Sequence, residues 1–183
     1  MKIALYLGSF NPFHNGHLEV IKTALNDFKM DGVIIVPTMQ NPWKEEKVLE
    51  MKKRLLLIEK ILVHEFGYYV HEKILVDPIE EILIPPYYSY ATLHALKNKY
   101  CNNEIFVLCG EDTMEKVPDW MNGGEIIKDY NFLIVDRPKN SISSTYIREM
   151  LRTRNKMDAY YSDEKLARYV SPNVINLLKK YYE

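Results

Sequence analysis

The sequence predicts an α/β fold in which a mostly parallel sheet is covered by helices on both faces. Three observations carry this expectation. Four short runs, Ile3–Leu7, Val33–Val36, Ile105–Cys109 and Phe132–Val135, are apolar without alternation, as suits strands buried on both sides. Segments with helical periodicity lie between and after them. Gly, Pro, Asp or Arg bounds the runs, and strand alternating with helix is the pattern of a parallel sheet.

In chain order, the first run leads into Gly8-Ser9-Phe10-Asn11-Pro12-Phe13-His14-Asn15-Gly16-His17. Asn15 is the expected N-cap of a helix whose buried face carries Leu18, Ile21, Leu25 and Phe28. The second run exits through Pro37-Thr38-Met39-Gln40-Asn41-Pro42-Trp43-Lys44, and Met51, Leu55, Ile58 and Leu62 set the face of the next helix. Residues 68–90 hold Pro78, Pro85 and Pro86 and read as an irregular excursion, with apolar patches at Ile74–Val76 and Ile82–Ile84 and room for one short strand. Leu93, Leu96 and Tyr100 share a helical face before the third run, which ends in Gly110-Glu111-Asp112. The fourth run ends in Asp136-Arg137, and Val174, Leu178 and Tyr181 mark a last helix with Pro172 in its first turn.

The chain has 183 residues, which predicts one domain, residues 1–183, since domains run to roughly 100–200 residues. Hydrophobic residues make up 47% and charged residues 27%, enough apolar material for a core. Lys plus Arg is 24 and Asp plus Glu is 25, so no bulk positive charge points to nucleic acid. No stretch approaches the roughly 18 apolar residues of a membrane span. The apolar start is too short for a signal peptide, so a cytoplasmic protein is expected. Cys101 and Cys109, the only cysteines, form no CxxC pair and read as reduced thiols.

Two motifs point to chemistry. In an open α/β sheet, ligands bind beyond the carboxyl ends of the strands, and Gly8–His17 lies at such an end. A glycine there lets a ligand approach the backbone. His14 and His17 stand at a helix start, where unpaired N–H groups favour phosphate. Two histidines at this spacing lack a third zinc ligand in a familiar pattern. The second motif is Ile142-Ser143-Ser144-Thr145-Tyr146-Ile147-Arg148. Ser143 or Ser144 can cap a helix, and Arg148 falls about one turn in. A cation near a helix N-terminus is disfavoured by roughly 0.3–1 kcal/mol, a cost that a bound polyphosphate reverses.

These motifs resemble the paired signatures GxFxPxHxGH and ISSTxIR of the HxGH nucleotidylyltransferases, a Rossmann-like doubly wound fold. More closely, the chain is similar to bacterial-type nicotinate-nucleotide adenylyltransferases. Pro86-Tyr87-Tyr88-Ser89-Tyr90-Ala91-Thr92-Leu93 and Pro118-Asp119-Trp120 point to that branch. The resemblance implies transfer of AMP from ATP to nicotinate mononucleotide, with Mg²⁺ accompanying the triphosphate. It implies that His14 and His17 hold the α-phosphate, that Lys44 bridges attacking and leaving phosphates, and that Ser143, Ser144, Thr145 and Arg148 hold the departing pyrophosphate. Gly8, Ser9, Phe10, Gly110, Asp112 and Arg137 would line the ATP side. Phe10, Asn11, Thr38, Tyr88, Ser89, Thr92 and Trp120 would form the acceptor side, with Trp120 stacking on the pyridine. Trp43 is a further candidate for loop packing or ligand contact.

Two departures stand out. The family's Pro-Ser-Tyr-Thr is here Pro86-Tyr87-Tyr88-Ser89, and only Pro138 to Ile142 separate Arg137 from Ser143. The short link implies a sheet edge that ends one strand early or is covered differently, and an altered adenine side. The competing readings are a sister transferase acting on nicotinamide mononucleotide, phosphopantetheine or a cytidylyl acceptor, and a non-catalytic nucleotide-binding module. A dinucleotide-dependent dehydrogenase or a P-loop enzyme is disfavoured, because neither GxGxxG nor GxxxxGK[ST] is present. A homo-oligomer is compatible with the apolar stretch Ile74–Tyr90.

Overall fold

A computed structural model of the protein describes residues 1–40, 48–136, 142–153 and 159–182. The four apolar runs become strands β1 (Lys2–Gly8), β2 (Gly32–Pro37), β4 (Glu104–Gly110) and β5 (Asn131–Val135), and Ile74–Val76 forms the short β3. They make one parallel sheet in the order β3-β2-β1-β4-β5. The strand runs lack alternation because both faces are covered. Ala4, Tyr6, Val33, Ile35 and Leu108 join one buried cluster, whereas Ile3, Leu5, Ile34, Val36 and Val107 join the other.

The helices divide between these faces. The first cluster takes Leu18 and Ile21 from α1 (Asn15–Asn26), Ile58 and Leu62 from α2 (Met51–Phe66), Ile147 from α6 (Ser144–Arg152) and Leu178 from α8 (Ile175–Tyr182). Leu166 of α7 (Ala159–Ala167), a helix the sequence periods did not single out, joins it. The second cluster takes Leu93 and Leu96 from α3 (Ser89–Lys99) and Ile126 from α5 (Gly123–Asp129). Full burial of one such side chain contributes about 1.5–3 kcal/mol.

The chain winds outward from β1 to β3 on one side and crosses to β4 and β5 on the other. Strand order therefore reverses between β1 and β4, which opens a crevice at the carboxyl ends. Gly8 pairs with Pro37 and Tyr6 with Leu108, so β1, β2 and β4 end on one rim. Beyond β4 comes the short α4 (Glu111–Met114). Among the described residues β5 is the last strand on its side.

Two local expectations are corrected. The N-cap of α1 is His14, because Asn15 is already helical and its backbone N–H and side-chain amide donate to Tyr169 O (2.9 Å) and Arg168 O (3.3 Å). The inward face of α2 carries Met51, Arg54, Leu57, Ile58, Ile61 and Leu62, leaving Leu55 half-buried. Of the two apolar patches in residues 68–90, Ile74–Val76 is the one short strand, while a 3₁₀ turn ends at Ile82, and Ile82 and Ile84 are exposed.

Candidate active site

The β1 exit folds back on itself. Phe10 adopts φ +44°, a left-handed conformation costly for a bulky residue. Its ring comes to 3.0 Å from where a Cβ on Gly8 would stand. Gly8 thus makes room for the Phe10 ring. Phe10 itself is buried, with its ring 5.3 Å from Tyr6, 5.5 Å from Phe13 and 5.0 Å from His17.

His14 and His17 are locked together. His14 caps α1 and its backbone N–H donates to His17 Nδ1 at 3.1 Å. His17 thereby takes the part of the third helical side chain in a capping box. Its Nδ1 is the acceptor, so in the neutral ring Nε2 carries the proton. The imidazole centroids are 3.7 Å apart, and Phe13 stacks on His17 at 5.1 Å. His14 is buried and His17 only half so. A Cβ on Gly16 would stand 3.1 Å from His14 Cε1 and Nδ1, so the glycine between the histidines keeps the ring in place.

The second motif docks on the first. Ser143 caps α6, its hydroxyl accepting from Tyr146 N at 3.2 Å. Ser144 Oγ donates to Pro12 O at 2.9 Å, and Arg148 Nη1 donates to Asn11 O at 2.6 Å. Arg148 Nη2 donates to Thr145 Oγ1 at 3.1 Å. Arg148 is buried, whereas Ser143 and Thr145 are exposed at the helix start. The N-termini of α1 and α6 are thus stitched side by side through one loop. Asn11, expected at the acceptor, is buried here. Its Oδ1 accepts from Tyr182 Oη (2.5 Å) and Leu49 N (3.2 Å).

On the acceptor side, Thr38 follows β2 and its N–H donates to Gly8 O at 2.9 Å. Tyr88 caps α3 with Ser89 next to it, and Thr38, Tyr88, Ser89 and Trp120 are all half-buried. Thr92 offers no surface to a ligand: it is fully buried, its hydroxyl donating to Glu80 Oε1 at 2.6 Å. Trp120 packs on the core cluster beneath α5. Gly123 allows that turn, since a Cβ there would lie 2.1 Å from Val117 O. Gly110 is buried at the end of β4 and caps α4, where Asp112 is exposed; Ser9 is half-buried. Trp43, Lys44 and Arg137 lie outside the described residues.

Among the buried charges that were not anticipated, two lie against this crevice. Arg54 is 2% exposed and donates to Leu49 O (2.8 Å), Ser9 O (2.7 Å) and Thr38 O (2.7 Å). Burial lowers its pKa, opposed by the charges of Tyr182, Glu80 and Glu81. Glu80 is 1% exposed and accepts from Met39 N at 2.5 Å as well as from Thr92. Burial raises its pKa, opposed by those two bonds and by Arg54. Arg54 falls in phase with Met51 and Ile58, a charge on an apolar stripe that could have been noticed. Nothing in the spacing separates Glu80 from its exposed neighbour Glu81.

A crevice at the point where a parallel sheet reverses its order, flanked by two helix N-termini, defines a nucleotide-binding α/β protein. The comparisons narrow the class. The chain belongs to the cytidylyltransferase-like family, whose model matches residues 5–150, and its relatives place it in the nicotinate-nucleotide adenylyltransferase branch. A relative from Aliarcobacter butzleri, named "Probable nicotinate-nucleotide adenylyltransferase", is 34% identical over 75% of this chain and 72% of its own length. One of the same name from Campylobacter jejuni is 31% identical over 100% of this chain and 97% of its own. The fold is also similar to that of Plasmodium falciparum nicotinic acid mononucleotide adenylyltransferase complexed with NaAD. That match has a TM-score of 0.76 at 20% identity, over 98% of this chain and 95% of the other. No helix among the described residues is long and apolar enough to cross a membrane.

Proposed function

We propose that the protein transfers AMP from ATP to nicotinate mononucleotide, forming deamido-NAD and pyrophosphate in NAD biosynthesis. The observation that carries this reading is the joining of the two motifs, with Arg148 on Asn11 O and Ser144 on Pro12 O. Those bonds bring two helix N-termini, a paired-histidine site and a buried guanidinium to one crevice. The named relatives supply the acceptor.

A 5′-phosphate oxygen of the mononucleotide attacks the α-phosphorus of ATP. The bond from that phosphorus to its bridging oxygen breaks, and pyrophosphate leaves with the electron pair. No covalent enzyme intermediate is needed, so the protein's part is alignment and stabilisation of charge. His17, whose Nδ1 accepts from the His14 N–H, presents its Nε2–H to the α-phosphate. The exposed Ser143 and Thr145 and the first N–H groups of α6 receive the departing pyrophosphate over the positive charge of Arg148. Lys44 and Arg137 are assigned to the phosphates and to the adenosine side on the motif match alone. Trp120 supplies a flat face for the pyridine, where stacking and cation–π attraction contribute roughly 0.5–2 kcal/mol. The donors of this crevice are N–H groups, hydroxyls and cations, which suit phosphate oxygens, so Mg²⁺ is assigned to the ATP substrate.

The test is incubation with ATP and Mg²⁺ against a panel of nicotinate mononucleotide, nicotinamide mononucleotide and phosphopantetheine, with products separated by chromatography. Deamido-NAD in the first arm is the expected result. Turnover confined to another arm reassigns the acceptor, and binding without turnover in any arm makes the protein a nucleotide-binding module.

A further inference from the structure

We infer that Glu80 is a positioning residue for the acceptor, fixing the Thr38–Met39 peptide relative to the first turn of α3. This inference rests on the proposed acceptor site, which lies between those two walls. The carbonyl of Thr38 and the N–H of Met39 belong to one planar peptide group. Arg54 Nη1 donates to its oxygen at 2.7 Å, and Glu80 Oε2 accepts from its nitrogen at 2.5 Å. Held at both ends, the plane cannot turn. The other Glu80 oxygen accepts from Thr92 Oγ1 at 2.6 Å, and that hydroxyl also lies 3.3 Å from Tyr88 O, the cap of α3. One carboxylate thus joins the β2 exit, which carries Thr38, to the helix start that carries Tyr88 and Ser89.

Glu80 and Thr92 are 1% and 0% exposed, so neither touches a ligand and both act through the groups they hold. A buried carboxylate is costly compared with an apolar residue of similar volume. A role limited to filling the core would be met more cheaply by Leu or Met. Among the described residues, the hydrogen-bond partners of Glu80 lie on the β2 exit and α3, none of them on α1 or α6. Loosening it therefore affects the acceptor wall and spares the phosphate end. Arg54 lacks that selectivity, since it also holds Ser9 O on the β1 exit.

The experiment compares wild type with Glu80→Ala, Glu80→Gln and Thr92→Val. KM is measured separately for nicotinate mononucleotide and ATP, together with thermal melting and amide hydrogen exchange at Thr38 and Met39. Glu80→Ala should raise KM for the mononucleotide about tenfold, the equivalent of 1.4 kcal/mol. KM for ATP should stay within about twofold, roughly 0.4 kcal/mol on the same scale. Glu80→Gln should recover most of the loss, because its carbonyl still accepts from Met39 N and its amide can meet the Thr92 oxygen. Thr92→Val should give a smaller rise, and it carries the same test if the alanine variant does not fold. Met39 should lose exchange protection in Glu80→Ala while α1 and α6 keep theirs. Equal rises in both KM values, a fallen melting temperature with unchanged kinetics, or glutamine failing as badly as alanine each overturn the inference. Wild-type turnover is read first. If the mononucleotide is not used, the acceptor assignment falls on its own, and exchange at Met39 still decides whether the clamp exists.

Discussion

Arg54 and Arg148 are both buried, both helical, and both donate to carbonyls of the loop that leaves β1, at Ser9 and Asn11. Their other partners separate them. Arg54 also donates to Leu49 O and Thr38 O, joining the exits of β1 and β2 to the entry of α2. Arg148 donates to Thr145 Oγ1, an exposed hydroxyl in the first turn of α6. One guanidinium braces the frame, and the other lies beneath the exposed helix start to which the proposed function assigns the pyrophosphate. Burial does not tell a framework cation from a functional one; the exposure of what it holds does.

That contrast is open to direct attack. The largest effect is expected from Arg54→Met, which strands three backbone carbonyls and should cost about 3–5 kcal/mol, the scale for removing one partner of a buried ionic site. Urea unfolding reads this as a lowered midpoint at constant slope, and an unmoved midpoint would take Arg54 out of the frame. Next comes Arg148→Ala. Turnover should fall about 10²–10³-fold, equivalent to roughly 2.7–4 kcal/mol, as when a preorganised charge-stabilising donor is lost. Its loss of stability should be smaller than that of Arg54→Met, and Arg148→Lys should restore activity only in part, since an ammonium lacks the planar fork.

A finer comparison uses two glycines. Gly16→Ala places a methyl against His14, and a misplaced site should lower kcat about tenfold, or 1.4 kcal/mol. Gly124 in α5 has open space where its Cβ would stand. There alanine should leave kcat unchanged and stabilise the fold by about 0.4–1 kcal/mol. Equal kinetic effects at the two positions would show that Gly16 does not shape the histidine pair.

The smallest effect is electrostatic. Burial raises the Glu80 pKa, with Arg54 from α2 the opposing charge that faces it. The native state therefore favours the protonated acid more than the unfolded chain does. That contribution is full below the ordinary carboxylate range and is lost as pH rises through the raised value. Wild type should lose stability relative to Glu80→Gln across that window, measured as the difference between two unfolding series. A difference that stays flat with pH would mean that Glu80 is not perturbed.

Much of the molecule was legible before any coordinates. Runs without alternation marked the strands β1, β2, β4 and β5, because a strand covered on both faces has no polar side to show. The two motifs were legible because each is contiguous, so spacing alone carries the pattern from Gly8 to His17 and from Ser143 to Arg148, and the fold docks one on the other. The acceptor wall was less so. The resemblance placed Thr92 on the acceptor side, whereas it is fully buried and its hydroxyl is taken up by Glu80.

What the sequence determined by itself was local: the four longer strands, the helices with a clear apolar period, and the two motifs that stand at helix starts. Each follows from residues a few positions apart. Tertiary structure alone decided what depends on distant partners. His14 rather than Asn15 caps α1, because Asn15 is bound by Arg168 and Tyr169. Arg54 rather than Leu55 turned fully inward on α2, because three carbonyls from separate segments take its donors. Glu80 rather than Glu81 became the buried acid, because Met39 N and Thr92 converge on it. A charge enters the interior only where fixed partners repay its desolvation, and those partners are assembled by the fold.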